Sequence, residues 1–169
     1  MAKVQDRDGN VQGVGFLRET PDDGSGIRRW NHVDRNGFID LMHRVARAWA
    51  DLDEEAAVAC FSPDAIYMQP PDVQFYAGTE QLRAYFAALE ERTFLEYQNL
   101  WFDETPQIGC AEFSFGVEGQ PQADHGTIVV HLEGGLIGHW REYVQKGPAN
   151  FEEFLAVDKD WRWHIGNYP

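Results

Sequence analysis

Apolar side chains recur along the chain first at the spacing of a helix and later at that of a strand. Phe38, Leu41, Met42, Val45 and Trp49 follow i, i+3, i+4, i+7, i+11, which predicts an amphipathic helix from about residue 36, capped by Asp34 or Asn36. Asp51-Leu52-Asp53-Glu54 has the form of a capping box and predicts a second, short helix to about Phe61, ended by Ser62-Pro63-Asp64. Residues 65–69 read as a short strand stopped by Pro70-Pro71. After Gly78, Thr79 is the expected cap of a third helix with Leu82, Tyr85, Phe86 and Leu89 on its apolar side. From there the period becomes two: residues 93–103, 107–117, 123–133 and 136–145 read as successive antiparallel strands. Three helices with one early strand, then a run of strands, is an α+β order. Residues 1–33 read as an N-terminal extension, 34–147 as one domain, and 148–169 as a tail packing on it, with a helical turn and then an alternating segment at 161–165.

The last two strands carry the most chemistry. Gly134-Gly135 suits a tight hairpin, and with these as the central turn residues Val129 faces Trp140 and Thr127 faces Glu142. Alternation then places His125, Thr127, Val129, His131, Trp140 and Glu142 on one face. A turn centred on Gly119 and Gln120 sets Glu112 opposite Thr127 from the other side. The two carboxylates are then about 10 Å apart at the backbone, with His125 a diagonal neighbour of both. The expectation is that Glu112, His125 and Glu142 look into one sheltered hollow. It fails if His125 and Glu142 lie on opposite faces.

Composition narrows the classes. The 169 residues suffice for one domain with a real core, and 14% aromatic residues argue against disorder in its body. A formal charge of −14 disfavours nucleic acid and anionic membrane surfaces, which need clustered Lys and Arg. No apolar run reaches the roughly 18 residues of a membrane span, and no leader pattern opens the chain. Cys60 and Cys110 have no metal-ligand spacing and read as free thiols of a cytoplasmic protein. His125 and His131 are about 20 Å apart along one strand and cannot share an ion, so no metal or cofactor is expected. Lys3, Lys146 and Lys159 lie near loops or ends, which disfavours a Schiff base, and no phosphate loop or nucleophile elbow occurs.

Three stretches resemble the nuclear transport factor 2-like superfamily, in particular its SnoaL-like small enzymes: FSPDAIYMQPPDVQFYAGTEQLRAYFAAL at 61–89, CAEFSFGV at 110–117 and EGGLIGHWREYV at 133–144. The resemblance covers roughly residues 37–146. It implies a curved antiparallel sheet wrapped around the three helices as a cone with a pocket inside. That scaffold hosts isomerases, cyclases, dehydratases, epoxide hydrolases, lyases and non-catalytic domains. The motifs are most similar to limonene-epoxide-hydrolase-like enzymes, where a tyrosine, an amide and a last-strand acid hold the attacking water. Tyr67, Gln69 and Glu142 stand at those places. Glu112 is the counterpart of a middle-strand acid, Cys110 replaces the arginine that precedes it, and His125 is the group that would stand in for that arginine.

A carboxylate in an aromatic-lined pocket is pushed towards neutrality and can move protons, with an imidazole beside it and Tyr67 donating to a developing oxyanion. The expected catalytic set is therefore Glu142, Glu112, His125 and Tyr67. Gln69, Trp140, Trp49, Thr127, Tyr85 and His131 are the expected substrate-binding residues. Each has a plainer reading: Glu142 pairing at a dimer face, Glu112 in a rim salt bridge, His125 as an exposed strand-end histidine, the aromatics as core. The expected function is cofactor-free acid–base chemistry, as a lyase, dehydratase or isomerase, on a small apolar or aromatic molecule in a homodimer. The alternatives are a non-catalytic ligand-binding or assembly module and an epoxide-hydrolase-like enzyme.

Overall fold

A computed structural model describes residues 4–5, 11–12, 32–71, 73–89 and 91–156. Most of the expected extension and the alternating segment at 161–165 lie outside them. Val4–Gln5 (β1) and Val11–Gln12 (β2) pair antiparallel. The main body runs α1 Arg35–Ala50, α2 Glu54–Val58, β3 Phe61–Gln69, β4 Gln74–Ala77, α3 Gly78–Ala87, β5 Thr93–Asp103, β6 Ile108–Val117, β7 Gln122–Glu133, β8 Leu136–Pro148 and α4 Phe151–Phe154. It is the α+β class the chain pattern implies: one curved, unclosed six-stranded sheet in the order β4-β3-β8-β7-β6-β5.

The helix starts follow capping chemistry. Asp34 accepts from the Gly37 amide at 2.8 Å and Asp53 from the Ala56 amide at 2.9 Å, while Asp51 ends α1, so the expected Asp51–Glu54 box does not open α2. α3 departs from expectation. It starts at Gly78 after Ala77, and the capping contact comes from inside the helix, where the Gln81 carboxamide accepts from the Ala77 amide at 2.9 Å. Thr79 is not the cap. Ser62-Pro63-Asp64 also behaves differently, lying within β3 rather than ending a helix. The strand accommodates Pro63 because its pairing with β8 is interrupted between Phe61 and Ile66, where the missing proline N–H breaks no ladder. Edge strand β4, unforeseen in the sequence, pairs Gln74 with Gln69 after the Pro70-Pro71 turn.

Helix α1 drives Phe38, Leu41, Met42, Val45 and Trp49 onto the inner face of the sheet, all at 3% exposure or less. That face contributes Leu95 from β5, Ala111 and Phe113 from β6, Ile128 and Val130 from β7, and Trp140 from β8. These bury enough apolar surface to fix which face of each strand looks in.

The β7–β8 register decides everything at the site. Gly134 and Gly135, both at positive φ, form the turn, and Glu133 faces Leu136 as expected. The pairing then shifts by one: Leu132 faces Ile137, but His131 faces His139, so Gly138 is an extra residue on β8. Beyond this bulge Val130 faces Trp140, Ile128 faces Glu142, and Thr127 faces Tyr143. The expected pairs Val129–Trp140 and Thr127–Glu142 are each off by one residue. A one-residue slip in a strand of period two exchanges faces.

Candidate active site

With that register, Trp140, Glu142 and Val144 of β8 point inward beside Asp124, Ile128 and Val130 of β7. β3 runs parallel to β8 and sets Tyr67 against Trp140, the two rings stacked 5.8 Å apart at 9°. Tyr85 of α3 closes on Tyr67 at 5.6 Å and on Tyr76 of β4 at 4.7 Å. Trp49 of α1 lies 5.9 Å from Trp140. Trp49, Tyr67, Tyr85 and Trp140, with Gln69, Gln74, Phe113 and Asp124, line a cavity of about 50 Å³ beside Glu142. A water needs roughly 10–15 Å³ of such space, so the cavity has room for a few.

Glu142 is 9% exposed, among neighbours that are mostly aromatic. Burial raises its pKa above the ordinary carboxylate value, and the charge of Asp124 adds to the shift. Two donors oppose it: the Trp140 indole, which donates to a carboxylate oxygen at 3.0 Å, and the Tyr67 hydroxyl. Tyr67 and Tyr85 are held protonated, chiefly by burial and then by the charge of Glu142. The arrangement is a carboxylate able to exchange a proton, next to phenols fixed as donors. Two further polar atoms on the cavity wall, Trp49 Nε1 and Gln74 Oε1, have no hydrogen-bond partner among the described residues. They supply one donor and one acceptor for an occupant.

Six of the residues singled out from the sequence thus share one cavity: Tyr67, Gln69, Trp49, Tyr85, Trp140 and Glu142. The other four do not. Glu112 faces Thr127 as expected, yet both lie on the outer face, where Glu112 accepts from Asn99 at 2.7 Å. The inward positions of β6 are Ala111, Phe113 and Phe115, so the middle strand offers the cavity neither an acid nor an arginine. His131 is also on the outer face, at the hairpin end.

His125 is the largest correction. It is buried at 1% exposure, but on the side of the sheet opposite Glu142. One ring nitrogen, Nε2, lies 2.7 Å from the Pro148 carbonyl, which can only accept, so Nε2 carries the proton. Nδ1 then accepts from the Ser114 hydroxyl at 2.8 Å, and Gln98 donates to Ser114 in turn at 3.1 Å. The ring stacks on Phe154 of α4 at 4.2 Å. Both nitrogens are satisfied and the ring is covered. The proposed hollow shared by Glu112, His125 and Glu142 does not exist, because the Gly138 bulge sends Glu142 to the other face.

Asp124 escaped the sequence reading although it lines the cavity. The signal that would have found it is Gly138 itself, since a glycine inside a strand marks a bulge, and the corrected register brings Asp124 inward.

A family model described as a SnoaL-like domain matches residues 42–140. No curated protein matches the chain. Among solved structures, a protein of unknown function with a cystatin-like fold from Methylobium petroleophilum superposes with a TM-score of 0.62 at 17% identity, over 71% of this chain and 82% of that one. A putative ketosteroid isomerase from Kribbella flavida gives 0.58 at 13%, over 73% and 90%. An epoxide hydrolase of the limonene-epoxide-hydrolase-like kind from Mycobacterium tuberculosis gives 0.55 at 15%, over 65% and 79%. At these identities the likeness is one of fold. Among the described residues no helix is long and apolar enough to cross a membrane.

Proposed function

Since the chain belongs to the SnoaL-like domain family, we propose that it is a cofactor-free acid–base enzyme, a lyase, dehydratase or isomerase, acting on a small, largely apolar molecule in the inner-face cavity. One observation carries this reading: a carboxylate, Glu142, is buried among aromatic rings and held, among the described residues, by two donors. A carboxylate so placed is costly to the fold, and proton abstraction is the chemistry that uses it.

Glu142 takes a proton from a carbon next to a carbonyl or comparable acceptor. As Glu142 takes up that proton it releases the Tyr67 hydroxyl, whose single O–H then turns to donate to the oxygen on which charge develops, with Tyr85 behind it. The proton then returns to a different carbon in an isomerisation, or a leaving group departs in an elimination. Trp49 Nε1 and Gln74 Oε1 favour an occupant with its own acceptor and donor. Asp124 at the wall raises the proton affinity of Glu142. The Kribbella protein is described as a putative ketosteroid isomerase, and the same class of proton transfer fits this cavity.

The epoxide hydrolase reading keeps Tyr67, Gln69 and Glu142 together but loses its second acid, because Glu112 is on the outer face. A non-catalytic assembly module of the same fold is favoured by a different observation, the small cavity, which at about 50 Å³ falls well below the roughly 300–1,000 Å³ usual for sites of drug-sized ligands. The two readings separate in one experiment. Phenolic, steroid-like and epoxide compounds are assayed for conversion and, by fluorescence quenching of the cavity tryptophans, for binding. An enzyme converts at least one class and loses about 10²–10⁴-fold in kcat on Glu142→Gln while still binding it. No turnover of any of these compounds by the wild type, bound or not, sinks the catalytic reading and leaves the module.

The reading includes a cytoplasmic homodimer formed through the outer face of the sheet, where Trp101, Ile108 and Tyr143 stand 53%, 42% and 49% exposed. Sedimentation at micromolar concentration tests it, and a monomer there ends it.

A further inference from the structure

We propose a second site, unrelated to the cavity: a divalent metal site at the tip of the β7–β8 hairpin, made by His131, Glu133 and His139. The same bulge that turns Glu142 inward creates it. With Gly138 as the extra residue, His131 and His139 become directly opposed on the outer face, their rings 6.0 Å apart. Glu133 lies between them, its Oε1 4.0 Å from His131 Nδ1 and 3.8 Å from His139 Nε2. One donor atom from each residue falls within 4.8 Å of the other two.

Gly138 makes room for this. A Cβ there would meet the Glu133 carboxyl carbon at 2.6 Å and one of its oxygens at 2.9 Å, so only glycine lets the carboxylate fold back across the hairpin. A substitution would push it away from the imidazoles.

Two imidazoles and a carboxylate form a borderline donor set, which suits zinc, with nickel and copper as competitors. Zinc at about 2.0–2.1 Å from each ligand holds its donors about 3.3 Å apart in a tetrahedron. The carboxylate lies 3.8 and 4.0 Å from the two imidazole nitrogens and all three donors lie within 4.8 Å of one another, so side-chain rotations that draw them in by up to about 1.5 Å bring them to that spacing. Three protein ligands leave the fourth position open, and the partly exposed site admits water there. The bound ion would staple the two strands across their bulge.

Zinc titration by calorimetry, on protein freed of any affinity tag, tests the site. One ion per chain is expected, with affinity reduced at least about tenfold in His131→Ala, in His139→Ala and in Glu133→Gln. Zinc should raise the melting temperature of the wild type but not of the His131→Ala/His139→Ala double variant, whose fold is checked by circular dichroism. Glu142→Gln should bind zinc as the wild type does, which keeps this test separate from the cavity. No zinc uptake by the wild type, or equal uptake by the double variant, overturns the proposal.

Discussion

Glu142 and His125 are both buried ionisable side chains, on adjacent strands of one sheet, and they face opposite ways. On the outer face His125 has a partner for each nitrogen, a ring stacked over it and a helical turn closing it off. On the inner face Glu142 has two donors for a group able to accept about four hydrogen bonds, a second carboxylate nearby, and open space. Burial alone therefore does not mark a functional residue. What separates the two is satisfaction. A fully bonded polar group stabilises its surroundings, while a buried charge short of partners persists at a cost that points to use.

The contrast rests on the packing of the inner face, so Trp140→Ala is the most severe way to break it. The indole is 1% accessible, stacks on Tyr67 and donates to Glu142. Losing a buried tryptophan from a core costs about 3–5 kcal/mol, a large part of the stability of a typical domain. At about 2–4 °C per kcal/mol the melting temperature should fall by roughly 6–20 °C. A variant that melts like the wild type would show that the ring is not part of the core.

Next in size is His125→Ala. It strands the Ser114 hydroxyl and the Pro148 carbonyl and uncovers Phe154, at about 1–3 kcal/mol for each unsatisfied group. At about 2–4 °C per kcal/mol for a chain of this length, the melting temperature should fall by roughly 5–15 °C. Turnover per folded molecule should be unchanged, in contrast to Glu142→Gln. If His125→Ala lost turnover at wild-type stability, the division of roles between the faces would be wrong.

How much of this was legible in the chain depends on the kind of signal. The long periodic elements were, because a helix or a strand buries one face and its sequence repeats that fact: α1 and β5 to β8 fall within a few residues of where the spacing puts them. The turn at Gly134-Gly135 was legible from glycine chemistry. The membership of the cavity was half legible, since Tyr67, Gln69 and Glu142 were found through motif likeness. The facing of Glu112 and His125 was not, because it hangs on whether Gly138 is an ordinary strand residue or a bulge, and a lone glycine permits both. The burial of His125 was also hidden. It is produced by Phe151 and Phe154, some 26 residues and more away in sequence, folding back over the sheet.

The pH dependence of stability sharpens the comparison further. Burial raises the Glu142 pKa, so between the ordinary carboxylate value and the raised one the folded state holds a proton that the unfolded state has released. The unfolded state binds fewer protons in that window, and stability falls as pH rises through it. The contribution is fully present below the ordinary value and lost above the raised one. Glu142→Gln removes this slope. Its melting temperature should gain on the wild type as pH rises from 4 to 8, by about 2–4 °C for each kcal/mol recovered. A difference that is flat in pH, or that reverses, would mean the carboxylate is well solvated in solution.

The smallest expected effect is the most direct check on the facing of β6. Glu112 stands on the outer face, bonded to Asn99 at a site exposed to solvent. Glu112→Gln keeps an oxygen acceptor for the Asn99 amide and removes only a charge that water screens, so stability should move by no more than about 0.5 kcal/mol. Turnover of any compound that Glu142→Gln fails to convert should stay at the wild-type level, because no path from Glu112 to the cavity avoids crossing the sheet. The measurement is sensitive where the effect is nil. If Glu112→Gln reduced kcat by even tenfold while its melting curve matched the wild type, the two carboxylates would have to meet on one face, and the β7–β8 register would have to be the one without a bulge.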